Sequence, residues 1–241
     1  MSKDSAQPCI ALTVELLEPP HYAGRRRYQL FPEYVAALRD AGADAVLLPA
    51  DAPADEALRL LARCDGLLLT GGDDPDLRPL GGPAPLPVCK PMPGVQQTQI
   101  LALAREALRR DLPLLGVCLG HQMLGLARGA PFVQDLPSAA MHGGGARHAV
   151  RLEPGSRLAR FAGAERIEVA SFHHQALGGP GDGVLAAGWS DDGVLEAVEL
   201  PDRRFAVGVQ WHPERDPDAR VNRGLFGGFC AAARDYREER A

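Results

Sequence analysis

Residues 113–122 read PLLGVCLGHQ, a short apolar strand that runs without a linker into a helix predicted over Leu119–Ala127. Gly116 and Gly120 stand on either side of Cys118, as a sharp strand-to-helix turn requires. The residue at the apex of such a turn lies beside the first amides of the helix, where a negative charge is favoured. Because the thiolate is the reactive form of cysteine, we predict that Cys118 is a nucleophile.

Strands and helices alternate on the N-terminal side of this turn. The first half has predicted strands at 9–14, 45–48 and 66–70 and predicted helices at 31–41, 55–62 and 95–110. This alternation predicts a parallel sheet built from right-handed βαβ units. Two stretches lack such a pattern: residues 15–29 are predicted to be irregular, and residues 73–94, rich in proline and glycine, to form a lid or a binding loop.

The second half has the pattern of antiparallel hairpins. Short apolar strands alternate with turn residues, and the clearest pair joins 195–199 to 204–208 through Pro201-Asp202-Arg203. A last helix is predicted at 218–237. We therefore expect residues 1–241 to form a single α/β domain, in which helices flank a mixed, mostly parallel central sheet.

Composition limits the classes of function. Of the 241 residues, 46% are hydrophobic and 24% charged, as in ordinary globular proteins, and the net charge of −5 argues against a nucleic-acid partner. No apolar run has membrane-spanning length, which predicts no membrane partner. Five scattered cysteines without a C-x-x-C pair favour a reducing compartment, so we expect a cytoplasmic protein. Residues 1–7 are polar, lack a signal-like core and are expected to be disordered.

A base for the nucleophile is predicted within residues 210–214, which read QWHPE. His212 and Glu214 are two residues apart at the end of a predicted strand. Side chains at i and i+2 of an extended backbone share one face, so the carboxylate can orient the imidazole. These residue types are those of a cysteine-histidine-acid triad.

An oxyanion site needs two amide donors close to the nucleophile. The start of the helix provides the amide of Leu119. The turn Gly71-Gly72, at the end of the third predicted strand, can provide the second because glycine permits a close approach of the backbone. Both lie at the carboxyl ends of parallel strands, where open α/β sheets place their sites.

These motifs carry a family resemblance. Residues 116–122 (GVCLGHQ) together with 210–214 resemble the class I glutamine amidotransferase superfamily. Segments 70–72 (TGG), 171–175 (SFHHQ) and 190–199 (SDDGVLEAVE) resemble its γ-glutamyl-γ-aminobutyrate hydrolase-like branch, the peptidase C26 family. The match extends in order from about Pro8 to the last helix.

The resemblance implies a fold, a site and a reaction. It implies the class I glutamine amidotransferase-like fold, with the nucleophile on a strand-helix elbow. The triad would be Cys118, His212 and Glu214, acting on a small γ-glutamyl substrate through a γ-glutamyl thioester. Gln122 would hold the γ-glutamyl group, and the backbone around Ser171 and Phe172 would line the same pocket. No cofactor is implied.

Three functions remain open. A hydrolase that cleaves the γ-amide of a γ-glutamyl-amine is favoured by segments 171–175 and 190–199. A glutaminase that supplies ammonia to a separate synthetase is the second, because Leu119 and His121 are more typical of such glutaminases. The third is a catalytically silent binding protein on this fold. A homodimer is one possible assembly.

The histidines outside these motifs lack the spacing of a metal site. They are His142, His148, His173 and His174, and we expect no metal to be bound. His121 is three residues from Cys118 on the following helix, and a structural role is predicted for it.

Overall fold

The structure, a computed structural model, describes residues 7–240. Its strands are β1 (Cys9–Leu12), β2 (Glu15–Leu17), β3 (Arg27–Gln29), β4 (Asp44–Leu47), β5 (Gly66–Leu69), β6 (Leu114–Val117), β7 (Phe132–Val133), β8 (Ala146–Leu152), β9 (Arg166–Ser171), β10 (Ala176–Leu177), β11 (Leu185–Ser190), β12 (Leu195–Glu199) and β13 (Ala206–Val209). Its α-helices are α1 (Pro32–Asp40), α2 (Ala54–Leu61), α3 (Gly94–Arg109), α4 (Leu119–Ala127), α5 (Ala139–His142), α6 (Arg157–Ala162) and α7 (Arg220–Arg240).

Nine of these strands form the central sheet, in the order β4-β1-β5-β6-β13-β12-β11-β8-β9. The pairings from β4 to β13 are parallel, and those from β13 to β9 are antiparallel. The mixed, mostly parallel sheet with flanking helices is therefore confirmed, as is the predicted hairpin of β12 and β13. Since β6 lies between β5 and β13, the carboxyl ends of three parallel strands meet at one edge of the sheet.

The parallel strands β1, β5, β6 and β13 are buried on both faces, whereas β4, at the edge of the sheet, leaves Val46 and Leu47 exposed. In β5, Leu68 packs into the core beneath α1 and α7, whereas Leu67 and Leu69 pack into the core beneath α2, α3 and α4. Successive side chains of a strand point to opposite faces, so a strand covered on both sides reads as an unbroken apolar run. This is why the parallel strands could be located from the sequence to within two residues.

The turn after β6 has the sharp geometry predicted from its glycines. Cys118 has φ 51° and ψ −107°, a backbone conformation with positive φ that a non-glycine residue adopts rarely. A Cβ on Gly116 would lie 2.5 Å from the carbonyl oxygen of Gly120, and a Cβ on Gly120 would collide with the carbonyl of Leu69. Small residues on both sides of the cysteine are thus a steric requirement of the turn.

The segment predicted to be irregular, 15–29, contains a small antiparallel pair of strands, and the prediction was wrong there. β2 pairs with β3, and Leu16 and Leu17 are buried. The amide of Leu16 donates a hydrogen bond to the Gln96 side chain, 2.9 Å away on α3. Strands of three residues are too short to show a period in the sequence, and this pair depends on contacts with a distant helix.

The expectation of disorder for residues 1–6 lies outside the described residues. Gln7 is placed, and its carbonyl accepts a hydrogen bond from Arg237, 2.8 Å away. Within residues 7–240, no helix combines the length and the apolar character needed to cross a membrane.

Candidate active site

A surface cavity opens at the edge where β5, β6 and β13 end. Its wall includes Gly71 and Gly72 after β5, Cys118 after β6 and His212 after β13. A Cβ on Gly71 would lie 2.9 Å from Cε1 of His212 and 3.6 Å from Cβ of Cys118. The sheet therefore brings the predicted nucleophile, base and glycine turn together, although they are far apart in the chain.

Glu214 accepts a short hydrogen bond from His212, with 2.6 Å between Oε1 and Nδ1. The pairing is as predicted, but the extended backbone from which it was predicted is not present. Residues Pro213–Arg215 form a single 3-10 turn, which begins at the proline ring and folds the carboxylate back onto the imidazole. Glu214 is buried, so this contact is shielded from solvent.

The pKa of His212 is raised to about 9. Burial alone would lower this pKa, since it disfavours the charged ring, but contact with the Cys118 thiolate and with Glu214 outweighs burial. The imidazolium is therefore the stable form at neutral pH. A protonated ring beside a thiolate can deliver a proton to a leaving group.

Tyr34 is part of the site, although sequence reasoning placed it only on the buried face of a helix. Its hydroxyl oxygen lies 3.5 Å from Nδ1 of His212 and accepts a hydrogen bond from the amide of Gly71 at 3.0 Å. Burial, together with the charge of Glu214, raises its pKa well above the ordinary value, so it remains a hydroxyl. Tyr34 occupies an apolar position of the α1 pattern, so the sequence explained it as a core residue and gave no separate sign of a function.

The amide of Gly71 donates its hydrogen bond to the hydroxyl of Tyr34. Of the three predicted oxyanion donors, only the amides of Gly72 and Leu119 therefore remain available. These two residues are neighbours across the elbow, because a Cβ on Gly72 would lie 3.0 Å from Cδ2 of Leu119. The cavity wall includes Gly72 beside Cys118.

Gln122 is buried and connects to the nucleophile through a second glutamine. Its side-chain amide donates to Oε1 of Gln210 at 3.2 Å and to the carbonyl of Gln175 at 3.2 Å. The side-chain amide of Gln210 in turn lies 3.6 Å from the Cys118 sulfur. Gln210 begins the QWHPE motif and had no role assigned from sequence.

Of the two residues predicted to line the pocket after β9, the structure places only Phe172 in the cavity wall. Its ring meets the His212 ring edge-on, 5.7 Å between centroids, and the Arg215 guanidinium lies 4.2 Å above it. Ser171 is fully buried, and within the described residues its hydroxyl has no hydrogen-bond partner.

Glu15 is a second residue that the sequence did not single out. It lines the cavity, and its Oε1 accepts a hydrogen bond from the amide of Asp73 at 3.1 Å. Burial and the neighbouring charge of Asp73 raise its pKa to about 7. It lies in the segment predicted to be irregular, so no pattern marked it.

His121 is fully buried against β13, where a Cβ on Gly208 would lie 2.9 Å from its Nδ1. Burial lowers its pKa to about 4, so it is neutral. These properties favour the structural role predicted for it.

Comparisons with known proteins agree with the motifs. The family model described as Peptidase C26 matches residues 8–214. A Mycobacterium tuberculosis protein, Rv2859c, whose name provisionally assigns it to the glutamine amidotransferases, is 36% identical over 212 residues, covering 85% of this chain and 67% of the relative. The γ-glutamyl-γ-aminobutyrate hydrolase PuuD of Escherichia coli is 29% identical over 251 residues, covering 90% and 91%.

The fold is also found among solved structures. A Thermoplasma acidophilum protein, described provisionally as part of a GMP synthase, superposes with a TM-score of 0.68 over 97% of this chain and 98% of its own. At 20% sequence identity, this similarity identifies the fold alone. The sheet and its flanking helices thus have the predicted class I glutamine amidotransferase-like fold.

Proposed function

Because the chain belongs to the peptidase C26 family of glutamine amidotransferase-like proteins, we propose that it is a cysteine hydrolase that cleaves the γ-amide bond of a γ-glutamyl-amine. The observation that carries the proposal is the buried hydrogen bond between His212 and Glu214, 2.6 Å long, together with the position of His212 in the same cavity wall as Cys118. The nine-stranded sheet draws on both halves of the chain, which supports a single domain.

The first step forms a thioester. The Cys118 thiolate attacks the γ-carbonyl carbon, and the amides of Gly72 and Leu119 stabilise the oxyanion that develops. The carbon-nitrogen bond then breaks as His212, protonated at neutral pH, gives its proton to the leaving amine. Glu214 holds the ring in the orientation that this transfer needs.

The second step hydrolyses the thioester. Neutral His212 removes a proton from water, and the hydroxide attacks the same carbonyl carbon. The carbon-sulfur bond breaks, which releases the free γ-carboxyl group of glutamate and restores the thiolate beside the imidazolium. No redox step or cofactor is needed for this sequence.

The cavity supports a small charged substrate. Carboxylates of Glu15 and Asp73 and the guanidinium of Arg215 lie in its wall, next to the aromatic ring of Phe172. Groups of both signs suit the α-amino and α-carboxylate groups of a γ-glutamyl compound. Gln122 is buried, and its hydrogen bonds to Gln210 and Gln175 support the cavity wall around Cys118.

A direct test offers the purified protein glutamine and a panel of γ-glutamyl-amines, and measures released amine and ammonia. Hydrolysis of a γ-glutamyl-amine in preference to glutamine is expected. Turnover of glutamine alone, rising when a synthetase is added, would instead support the glutaminase function. No turnover, together with alkylation of Cys118 no faster than that of the other cysteines, would support a silent binding protein.

We expect kcat/KM to fall as the pH rises through about 9, because His212 then loses the proton that the leaving amine requires. In Glu214→Gln, the alkaline limb should move to lower pH, since the carboxylate helps to raise that pKa. The measurement is kcat/KM as a function of pH, with Glu238→Gln on the exposed side of α7 as control. A limb that stays near pH 9 in Glu214→Gln would contradict the assigned role of Glu214.

A further inference from the structure

Away from the Cys118 cavity, three histidines converge on one buried glutamate. Oε1 of Glu196, on β12, lies 3.2 Å from Nδ1 of His142 at the end of α5 and 3.2 Å from Nε2 of His148 on β8. It also lies 3.5 Å from Nε2 of His173, which follows β9. We call these four residues the histidine cluster; the glutamate side chain is fully buried, and those of the histidines are at most 10% exposed.

The facing atoms of the cluster lie within hydrogen-bond distance of one another but are not aligned as hydrogen bonds. Within residues 7–240, Oε1 of Glu196 and the three imidazole nitrogens around it all lack a hydrogen-bond partner, although their separations are within reach of one. Burying polar atoms without partners is costly. A cation among them would give a partner to the Glu196 oxygen and to the facing nitrogens of His142 and His148.

Two of the histidines have their outward nitrogens engaged by oxygen acceptors. Nε2 of His142 lies 3.0 Å from Oδ2 of Asp192, and Nδ1 of His173 lies 3.0 Å from the carbonyl oxygen of Gln175. Both oxygens accept, so these nitrogens carry the ring protons. In a neutral imidazole the other nitrogen is then a bare lone pair. The inward lone pairs face a carboxylate, and only a positive charge among them makes that arrangement favourable.

The spacing of these atoms fits a divalent metal ion. The separation of 3.2 Å between carboxylate oxygen and imidazole nitrogen matches the edge of a tetrahedron whose metal-ligand bonds are near 2.0 Å, about 3.3 Å. The ligating atoms of His142, His148 and Glu196 all lie within 4.8 Å of one another. Support of a metal-bound imidazole by a carboxylate or a backbone carbonyl is the usual outer arrangement of such sites.

We propose that the histidine cluster binds one divalent transition-metal ion of the zinc type, with His142, His148 and Glu196 as ligands. Nitrogen and oxygen donors of this kind suit Zn²⁺ and Co²⁺. The two positive charges would balance the carboxylates of Glu196 and Asp192. This proposal departs from the sequence-based expectation of no metal. The three ligands come from α5, β8 and β12, so no short spacing in the sequence marks them.

The position of the cluster indicates a structural role for the metal. The Gln175 carbonyl that holds His173 also accepts the hydrogen bond of Gln122, and Phe172 in the cavity wall is the residue before His173. An ion here would tie α5, β8 and β12 together, next to the segment that carries Phe172.

The test is metal binding by the full-length protein, freed of metal by a chelator and then titrated with Co²⁺ and Zn²⁺. We expect one equivalent to bind, with visible absorption bands of four-coordinate Co²⁺ that Zn²⁺ abolishes. Asp192→Asn should weaken binding by roughly 10- to 100-fold, and Glu196→Gln by more. If Glu196→Gln does not fold, His148→Ala replaces it as the test variant, because His148 is the most exposed ligand; it should also weaken metal binding.

Two controls exclude other sites. Cys118→Ala removes the thiol of the active-site pair, and His174→Ala removes a histidine that contacts Asp74 and Asp135 outside the cluster. Both variants should bind the metal as the wild-type protein does. Failure of wild-type protein to bind an equivalent, or loss of binding in Cys118→Ala, would overturn the proposal. The number of metal equivalents bound and the Co²⁺ absorption bands are both measured without substrate turnover, so the result is independent of the proposed hydrolase function.

Discussion

Replacing Cys118 with alanine is expected to lower kcat/KM for the preferred γ-glutamyl-amine by at least about 10⁴-fold. The thioester cannot form without the sulfur, whereas the amides of Gly72 and Leu119 remain to bind the substrate carbonyl. KM or the dissociation constant of the substrate should therefore change much less than kcat. The measurement is steady-state kinetics, with folding checked by the thermal unfolding midpoint.

Cys230→Ala is the matched control, because that thiol is fully buried in the core and burial raises its pKa to about 12. Activity close to wild type is expected for it. In the wild-type protein, iodoacetamide should modify Cys118 ahead of Cys64, whose pKa burial also raises to about 12. A Cys118→Ala variant that retains more than a tenth of the activity would refute the nucleophile assignment.

Replacing Gly120 with alanine is expected to lower the free energy of unfolding by about 3 kcal/mol or more. The added methyl group would collide with the carbonyl of Leu69, and both partners belong to backbone that is held in place by β5 and α4. The helix would have to move away from the strand, which would displace Cys118 as well. Urea denaturation gives the change in stability, and kinetics on the folded fraction gives the change in activity.

Gly227→Ala on α7 provides the control, because nothing lies within 4 Å of a Cβ at that position. There the substitution should raise the free energy of unfolding by about 0.5–1 kcal/mol, as alanine favours helix over glycine. The two variants make the same chemical change in helical backbone and differ only in the space around it. Equal effects from both would show that the elbow tolerates a side chain.

Most of the parallel half of the fold was predictable because its central strands are buried on both faces. Such strands read as apolar runs, and β1, β5 and β6 were located from them; the edge strand β4 was located from its apolar run although it is largely exposed. The pair β2 and β3 was missed because its strands have only three residues each, β3 is largely exposed, and β2 is held by a hydrogen bond from Leu16 to Gln96 on α3. The local sequence pattern of a strand cannot reveal a contact with a helix that is distant in the chain.

The residues of the candidate site likewise fall into those that the sequence marked and those that only the tertiary structure revealed. Cys118 was recognisable because its glycine neighbours are a local steric requirement, and His212 and Glu214 because they are close in the chain. Tyr34 and Glu15 were not recognisable, since each reaches the cavity from an element far from the motifs. The engagement of the Gly71 amide by Tyr34 is likewise a tertiary contact, and it decides which amides remain for an oxyanion.

The sequence by itself determined the elbow, the family and the chemical types at the centre of the site, because turn sterics and short spacings are properties of neighbouring residues. Only the tertiary structure decided what surrounds that centre. The ring of His212 is held protonated by two charges from different strand ends, and the histidine cluster is assembled from α5, β8, β12 and the segment after β9. Electrostatic interaction and ligand geometry depend on distance in space, which the order of residues does not contain.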